Sequence, residues 1–226
     1  MEGDLRQEII AIDGPVAVGK SSVGSMLARR LGYVFFDTGM IYRAFTWKVI
    51  KSGVPPTDED AICRIADSTV FDFVAVQEWR LSPLIDGEDV SSGLLCPRVE
   101  ELVPVTSKIA GVRRALVSQQ RRFAGRGKVV MAGRDIGTVV LPWAELKVFL
   151  TASTEERAKR RHRELMERGE NASLETVLAE LKRRDDMDMN RTISPLKPAD
   201  DAVVVNTEGL RLEQVVDKIC ALAADR

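Results

Sequence analysis

Gly14-Pro15-Val16-Ala17-Val18-Gly19-Lys20-Ser21-Ser22 fits the pattern G-x-x-x-x-G-K-[ST] of a phosphate-binding loop. Its flanks are the ones the motif needs. Glu8-Ile9-Ile10-Ala11-Ile12 is a short apolar run, read as a buried strand, and residues 20–31 read as a helix with Val23, Met26, Leu27 and Leu31 on one face. A strand, a glycine loop and a helix N-terminus turn successive backbone N–H groups towards an anion. In that reading Lys20 lies against the β- and γ-phosphates of a nucleoside triphosphate and Ser21 ligates Mg²⁺. The loop alone leaves the acceptor of the phosphate open.

Working outward, Tyr33-Val34-Phe35-Phe36 reads as a second strand, and a helix follows from about Asp37 to Lys51, stopping at Gly53 before Pro55-Pro56. Thr57-Asp58 is a cap for a further helix through Ile62, Ile65 and Ala66. Residues 69–76 and 79–85 are β-rich, and the hairpin signal Asp86-Gly87 comes directly after them; Pro83 argues for an edge position there. This small antiparallel patch reads as an insert at about 68–95. Pro97 opens a helical stretch towards Phe123, which Pro104 should kink or divide. Strands are predicted at 128–132, 146–150 and 202–205, and a last helix is marked by Leu212, Val215, Val216 and Ile219.

Five short apolar strands with helical connections predict a parallel sheet covered on both faces. Ligands of such sheets lie beyond the carboxyl ends of the strands. The polar segments 14–22, 37–43, 133–135 and 151 onward fall there and are expected to converge. Tyr42 and Arg43 suit a stacking surface and a planar grip on an acceptor phosphate; they read equally as a core ring and a solvated charge. Gly133-Arg134-Asp135 offers close backbone approach, a phosphate ligand and a carboxylate for Mg²⁺-bound water or for orienting the arginine. A turn with a structural ion pair is the alternative.

Residues 155–191 are densely charged with acids and bases in equal number. Most of these are expected on solvated helical faces. Two helical segments around Gly169 form a hairpin with few large apolar residues, which reads as a mobile flap whose arginines, Arg157 and Arg161 among them, close on a triphosphate and exclude water. His162, the lone histidine, is read as a surface residue.

The chain has 226 residues and a formal net charge of −1, so no global positive field favours nucleic acid or an anionic membrane. Cys63, Cys96 and Cys220 show neither metal-ligand nor disulfide-framework spacing. Met1-Glu2-Gly3-Asp4 carries no leader pattern, and no apolar run approaches the ~20 residues that span a bilayer. A cytoplasmic monomer without nucleic-acid or membrane partners is the expectation.

Four segments together resemble the bacterial cytidylate kinases: the loop beginning Ile12-Asp13-Gly14-Pro15; Asp37-Thr38-Gly39-Met40-Ile41-Tyr42-Arg43; Gly133-Arg134-Asp135-Ile136-Gly137-Thr138-Val139-Val140; and Arg184-Asp185-Asp186-Met187-Asp188-Met189-Asn190-Arg191 with Ser194-Pro195-Leu196. The resemblance covers nearly the whole chain, in order. It implies an α/β P-loop NTPase fold: a five-stranded parallel sheet flanked by helices (1–36, 107–155 and 188–226), a nucleoside monophosphate lobe with a small antiparallel sheet (37–106), and a helical lid (156–187). The implied reaction is ATP with CMP or dCMP giving ADP with CDP or dCDP, with Mg²⁺. The alternatives are another nucleoside monophosphate such as UMP or dTMP, and a non-metabolic P-loop NTPase.

By position, the resemblance assigns Thr38, Tyr42, Arg43, Arg113, Arg134, Asp135, Arg184, Asp188 and Arg191 to the CMP site. Among these, Arg184 and Asp188 meet the cytosine. Lys20, Arg134, Asp135 and Arg191 are the catalytic set. ATP is assigned to residues 14–22 with Arg157 and Arg161, and the metal to Ser21, with Asp13 through water. Two positions depart from the family's pattern. Ala132 stands where an acid often precedes Gly-Arg-Asp, so Asp13 or Asp135 is expected to compensate. Pro104 stands where a serine often lies near the base, with Thr106 or Ser107 as replacements.

Overall fold

The computed structural model describes residues 8–224, so the reading of the first four residues lies outside it. The central sheet is built from β2 (Val34–Asp37), β6 (Val129–Gly133), β1 (Ile9–Asp13), β7 (Leu146–Thr151) and β8 (Val203–Asn206), adjacent in that order and all parallel. The five expected strands are all present.

Strand period sorts the core into two halves. Along β1, Ile9 and Ala11 join one apolar cluster and Ile10 and Ile12 the other. Along β6, Val129 and Met131 face the first cluster, and Val130 and Ala132 the second. The second cluster is closed by α1 (Lys20–Leu31) and α8 (Leu212–Ala224) through Val23, Leu27, Val215, Val216 and Ile219. The first is closed by α2 (Thr38–Ser52), α3 (Glu59–Ser68) and α5 (Ala110–Ala124) through Phe45, Ile62, Val112, Leu116 and Phe123. Asp58 caps α3 by accepting the Ala61 N–H at 2.9 Å.

The insert is not a separate sheet. β3 (Phe71–Gln77), β4 (Arg80–Ile85) and β5 (Glu88–Asp89) are antiparallel to one another, and β4 joins the main sheet beside β2, with Phe35 N–H donating to Trp79 O at 2.8 Å. β3 covers one side of β4 along its length. β2 and β5 share the other side, meeting it at residue 80 and at residues 84–85. β4 is therefore an edge strand only between them, around Pro83. Phe73 ties the insert to the core: it packs edge-on against Phe36 (4.9 Å between ring centres) and Phe123 (5.2 Å), which stack on each other at 4.3 Å. Such pairs are worth about 0.5–1.5 kcal/mol each beyond the area they bury.

The helical stretch from Pro97 is divided, but not at Pro104. α4 (Pro97–Thr106) runs through the proline, and the break falls at residues 107–109 before α5. α6 (Thr154–Glu167) and α7 (Leu174–Met189) form the charged hairpin. It has a small core of its own, with Ala158, Leu165, Val177 and Leu181 buried together and Val16 and Ala17 of the glycine loop packed against them. A hairpin expected to carry few large apolar residues thus packs those it has against the glycine loop. None of the helices described is long and apolar enough to cross a membrane.

Candidate active site

The loop at 14–19 leads straight from β1 into α1. Gly14 has φ +153°, and a Cβ there would meet the Leu150 carbonyl oxygen at 2.4 Å, so only glycine lets β1 turn this close to β7. Gly19 precedes α1 in the left-handed region at φ +98°, leaving the first N–H groups of the helix open to a ligand. Lys20 is buried and donates to the carbonyls of Gly14 (2.7 Å) and Pro15 (2.6 Å). Burial, and then the charge of Arg134, hold its amine well below the ordinary lysine value.

Parallel pairing sets the β2 and β6 ends beside the loop. Asp37 ends β2 and caps α2 by accepting the Gly39 N–H at 2.9 Å, so the helix begins with no intervening loop. That fixes Thr38 beneath Ala132 O (2.9 Å) and sends Tyr42 and Arg43 across the cleft one turn later. Ser21 Oγ donates to Asp37 Oδ2 at 2.6 Å.

After β6 the chain makes a π-helical turn, Ile136–Val140. Asp13 holds its start, accepting N–H groups from Ile136 at 2.8 Å and Gly137 at 2.7 Å. Burial pushes Asp13 up to about 6, against the pull of those two bonds. The folded state then binds this proton more tightly than the unfolded chain. Rising pH between 3.8 and about 6 costs stability, and above that the cost is constant. The amide protons of Ile136 and Gly137 should titrate with a midpoint near 6; a midpoint near 4 would mean that the carboxylate is well solvated.

The residues assigned to the acceptor fall into three sets of charge pairs. Arg113, from α5, is buried and pairs with the buried Asp135 while lying 5.7 Å over the Tyr42 ring. Arg191 lies 3.8 Å from the other Asp135 oxygen. Arg134 Nε donates to Asp188 Oδ2 at 2.7 Å. Arg43 and Arg184 share Glu100 of α4, at 3.1 and 3.3 Å. Burial draws Glu100 upward, but the two guanidiniums prevail and hold it below the usual carboxylate range. Each of the assigned arginines Arg43, Arg113, Arg134, Arg184 and Arg191 thus has a carboxylate beside it. Glu100 was missed in the sequence: it lies in no motif, and its helix shows no periodic sign of facing two arginines.

Among the described residues, the buried side-chain atoms without a hydrogen-bond partner include Arg43 Nε, Arg184 Nε and Arg191 Nη2, beside the Gln120 amide and the Thr138 hydroxyl. Native interiors leave few such groups unpaired. Three of them are guanidinium nitrogens, which suit an anionic ligand. Burial raises the Tyr42 phenol to about 12, so it stays a donor at neutral pH.

Two expectations are corrected in detail. Arg157 is buried and already bonded: to Asp185 through both amino groups (3.1 and 2.6 Å), to Val16 O of the glycine loop (3.0 Å) and to Thr154 Oγ1 (2.9 Å). It fastens the hairpin to the loop. Thr106 spends its hydroxyl on Thr46 Oγ1 at 2.7 Å, inside the core and away from a base. Arg161 pairs with Glu164 at 3.0 Å on the partly exposed side of α6.

A phosphate cradle at one strand end, facing a second cleft of arginines within electrostatic reach of Lys20, defines a P-loop phosphotransferase with separate donor and acceptor sites. Solved structures agree on the fold alone: a gluconokinase from Sinorhizobium meliloti superposes with TM-score 0.51 at 17% identity, covering 97% of this chain and 93% of that one. A protein from Eubacterium ventriosum gives 0.54 at 15%, covering 97% and 99%. The family model for cytidylate kinases matches residues 10–225, and the chain belongs to that family. It is 44% identical to the cytidylate kinase of Bacillus licheniformis over 93% of both chains, and 46% identical to that of Desulforamulus reducens over 93% of this chain and 94% of the other.

Proposed function

We propose that this chain transfers the γ-phosphoryl group of ATP to CMP or dCMP, giving CDP or dCDP. The observation that carries the acceptor reading is the set of unpartnered buried guanidinium nitrogens on Arg43, Arg184 and Arg191. The family membership supports the cytosine base. In this reading residues 14–22 cradle the donor phosphates and Lys20 follows the charge from ground state to transition state. Arg43, Arg113, Arg134 and Arg191 hold the acceptor phosphate, and Asp135 keeps Arg113 and Arg191 aimed. Arg184 and Asp188 give the base a donor and an acceptor, matching the ring acceptors and amino group of cytosine. Binding exchanges the Arg134–Asp188 and Arg184–Glu100 contacts for contacts to CMP, while lobe 37–106 and lid 156–187 close. Thr38, buried on Ala132 O, positions the start of α2 beneath the acceptor.

The donor set fits Mg²⁺ arriving with ATP. Among the described residues no group of three or more His, Cys, Asp or Glu could hold a metal alone, and Mg²⁺ normally binds through one or two protein groups plus substrate phosphates. Ser21 would hold it, and the ion would supply positive charge to offset that of the phosphates. The Cys63, Cys96 and Cys220 thiols are free, which suits the cytoplasm.

ADP release measured with CMP, dCMP, UMP, AMP and dTMP in parallel tests the acceptor. CMP and dCMP should lead. The pair Arg184→Ala with Asp188→Ala should lower kcat/KM for CMP by at least tenfold and leave ATP hydrolysis without acceptor largely intact. Equal turnover of all five acceptors would sink the cytosine reading.

A further inference from the structure

Residue 132 is an alanine, and the sheet register decides which neighbouring acid meets Ser21. Residues directly opposite across parallel strands point to the same face. Asp13 lies opposite Gly133, one step along from the Ile12–Ala132 pair, so it points to the face away from α1. Both its oxygens there accept the Ile136 and Gly137 amides. Asp135 is committed to Arg113, with Arg191 beside it. Neither acid faces Ser21.

Asp37 does. It is paired with Ala132 in the β2–β6 register and therefore shares its face, the one that carries α1. One oxygen is fixed by the Gly39 N–H and the other receives the Ser21 hydroxyl proton at 2.6 Å. A serine oxygen can ligate a cation only if its proton points elsewhere. Here the proton has a fixed acceptor, and the oxygen lone pairs remain for the loop mouth, where Ser21 is exposed.

We propose that Asp37 is the positioning carboxylate of the Mg²⁺·ATP site: it takes the Ser21 proton, aims the Ser21 lone pairs at the cation, and presents its charge to the cation's water shell. Such supporting groups matter to metal affinity by about 10–100-fold. The proposal rests on the Mg²⁺·ATP reading above.

The test is Asp37→Asn. Asparagine still caps α2, but its amide donates to Ser21 and so reverses that hydrogen bond. Mn²⁺ affinity for the enzyme–ATP complex is read by electron paramagnetic resonance, and ATP affinity by calorimetry with Mg²⁺ and with EDTA. In the variant, Mn²⁺ affinity should fall at least tenfold, the Mg²⁺ needed for half-maximal rate should rise in step, and ATP affinity in EDTA should hold or improve. Ser21→Ala added to Asp37→Asn should cost little more than either alone. Mn²⁺ affinity within twofold of the parent, or equal weakening of ATP with and without metal, overturns the role of Asp37. Should Asp37→Asn unfold, Asp37→Ser keeps the cap and is read the same way. If the unmodified protein binds ATP equally with Mg²⁺ and with EDTA, the metal reading itself fails, and that result does not depend on any variant.

Discussion

Lys20→Met is expected to lower kcat/KM for ATP by roughly 10²–10³-fold, the usual cost of removing one preorganised donor from a charge-developing transition state. The side chain is well placed for a large effect. It is buried, and among the described residues it donates to the Gly14 and Pro15 carbonyls. Burial and the charge of Arg134 disfavour its ammonium, while Asp37, Asp13 and Asp188 favour it. Phosphate oxygens would add to the favouring side. Methionine keeps the unbranched stem, so far-ultraviolet circular dichroism should be unchanged. Because the interaction strengthens as charge develops, kcat should fall more than KM rises. Steady-state kinetics on the purified variant decide the matter, and a kcat within tenfold of the parent would remove Lys20 from the transfer step.

The second large effect concerns stability. Asp135→Ala should destabilise the fold by about 3–5 kcal/mol, the typical result of leaving one member of a buried ion pair alone. Asp135 and Arg113 are 5% and 4% exposed, so water cannot take over the lost pairing. Arg191, whose own charge is disfavoured by burial, loses its nearest acid as well. For a chain of this length about 2–4 °C accompanies each kcal/mol, so Tm should drop by roughly 6–20 °C. Adding Arg113→Met removes the stranded charge and should recover much of the loss. CMP, whose phosphate would replace the missing negative charge, should raise the Tm of Asp135→Ala. Differential scanning calorimetry of the two variants, with and without CMP, measures all three. A Tm within 3 °C of the parent for Asp135→Ala would show that the pair contributes little to folding.

Local chemistry made the donor half legible. A glycine loop between an apolar strand and a helix has few folded solutions, and residues 14–22 adopt the expected one. Parallel β1, β2, β6 and β7 then brought the four polar segments together as their order predicted. The lid was harder to read. The scarcity of large apolar residues on α6 and α7 suggests a mobile flap, yet Ala158, Leu165, Val177 and Leu181 are buried together with Val16 and Ala17 packed against them. Arg157 looked like a phosphate ligand because arginines near a glycine loop often are. Whether it meets a phosphate or Asp185 depends on how two helices pack, which no local pattern records.

What the sequence determined by itself was the class of fold and the glycine loop, because these follow from motifs whose residues are close in the chain. What only the tertiary structure decided was which charges meet: Glu100 between Arg43 and Arg184, Asp135 on Arg113, and Asp37 rather than Asp13 on Ser21. For Glu100 and Asp135 the reason is the packing of α2, α4, α5 and α7, which brings together residues far apart in the chain. For Asp13 and Asp37 it is the period of the strand: a one-residue step carries a side chain to the opposite face of the sheet, so register decides which of them meets Ser21.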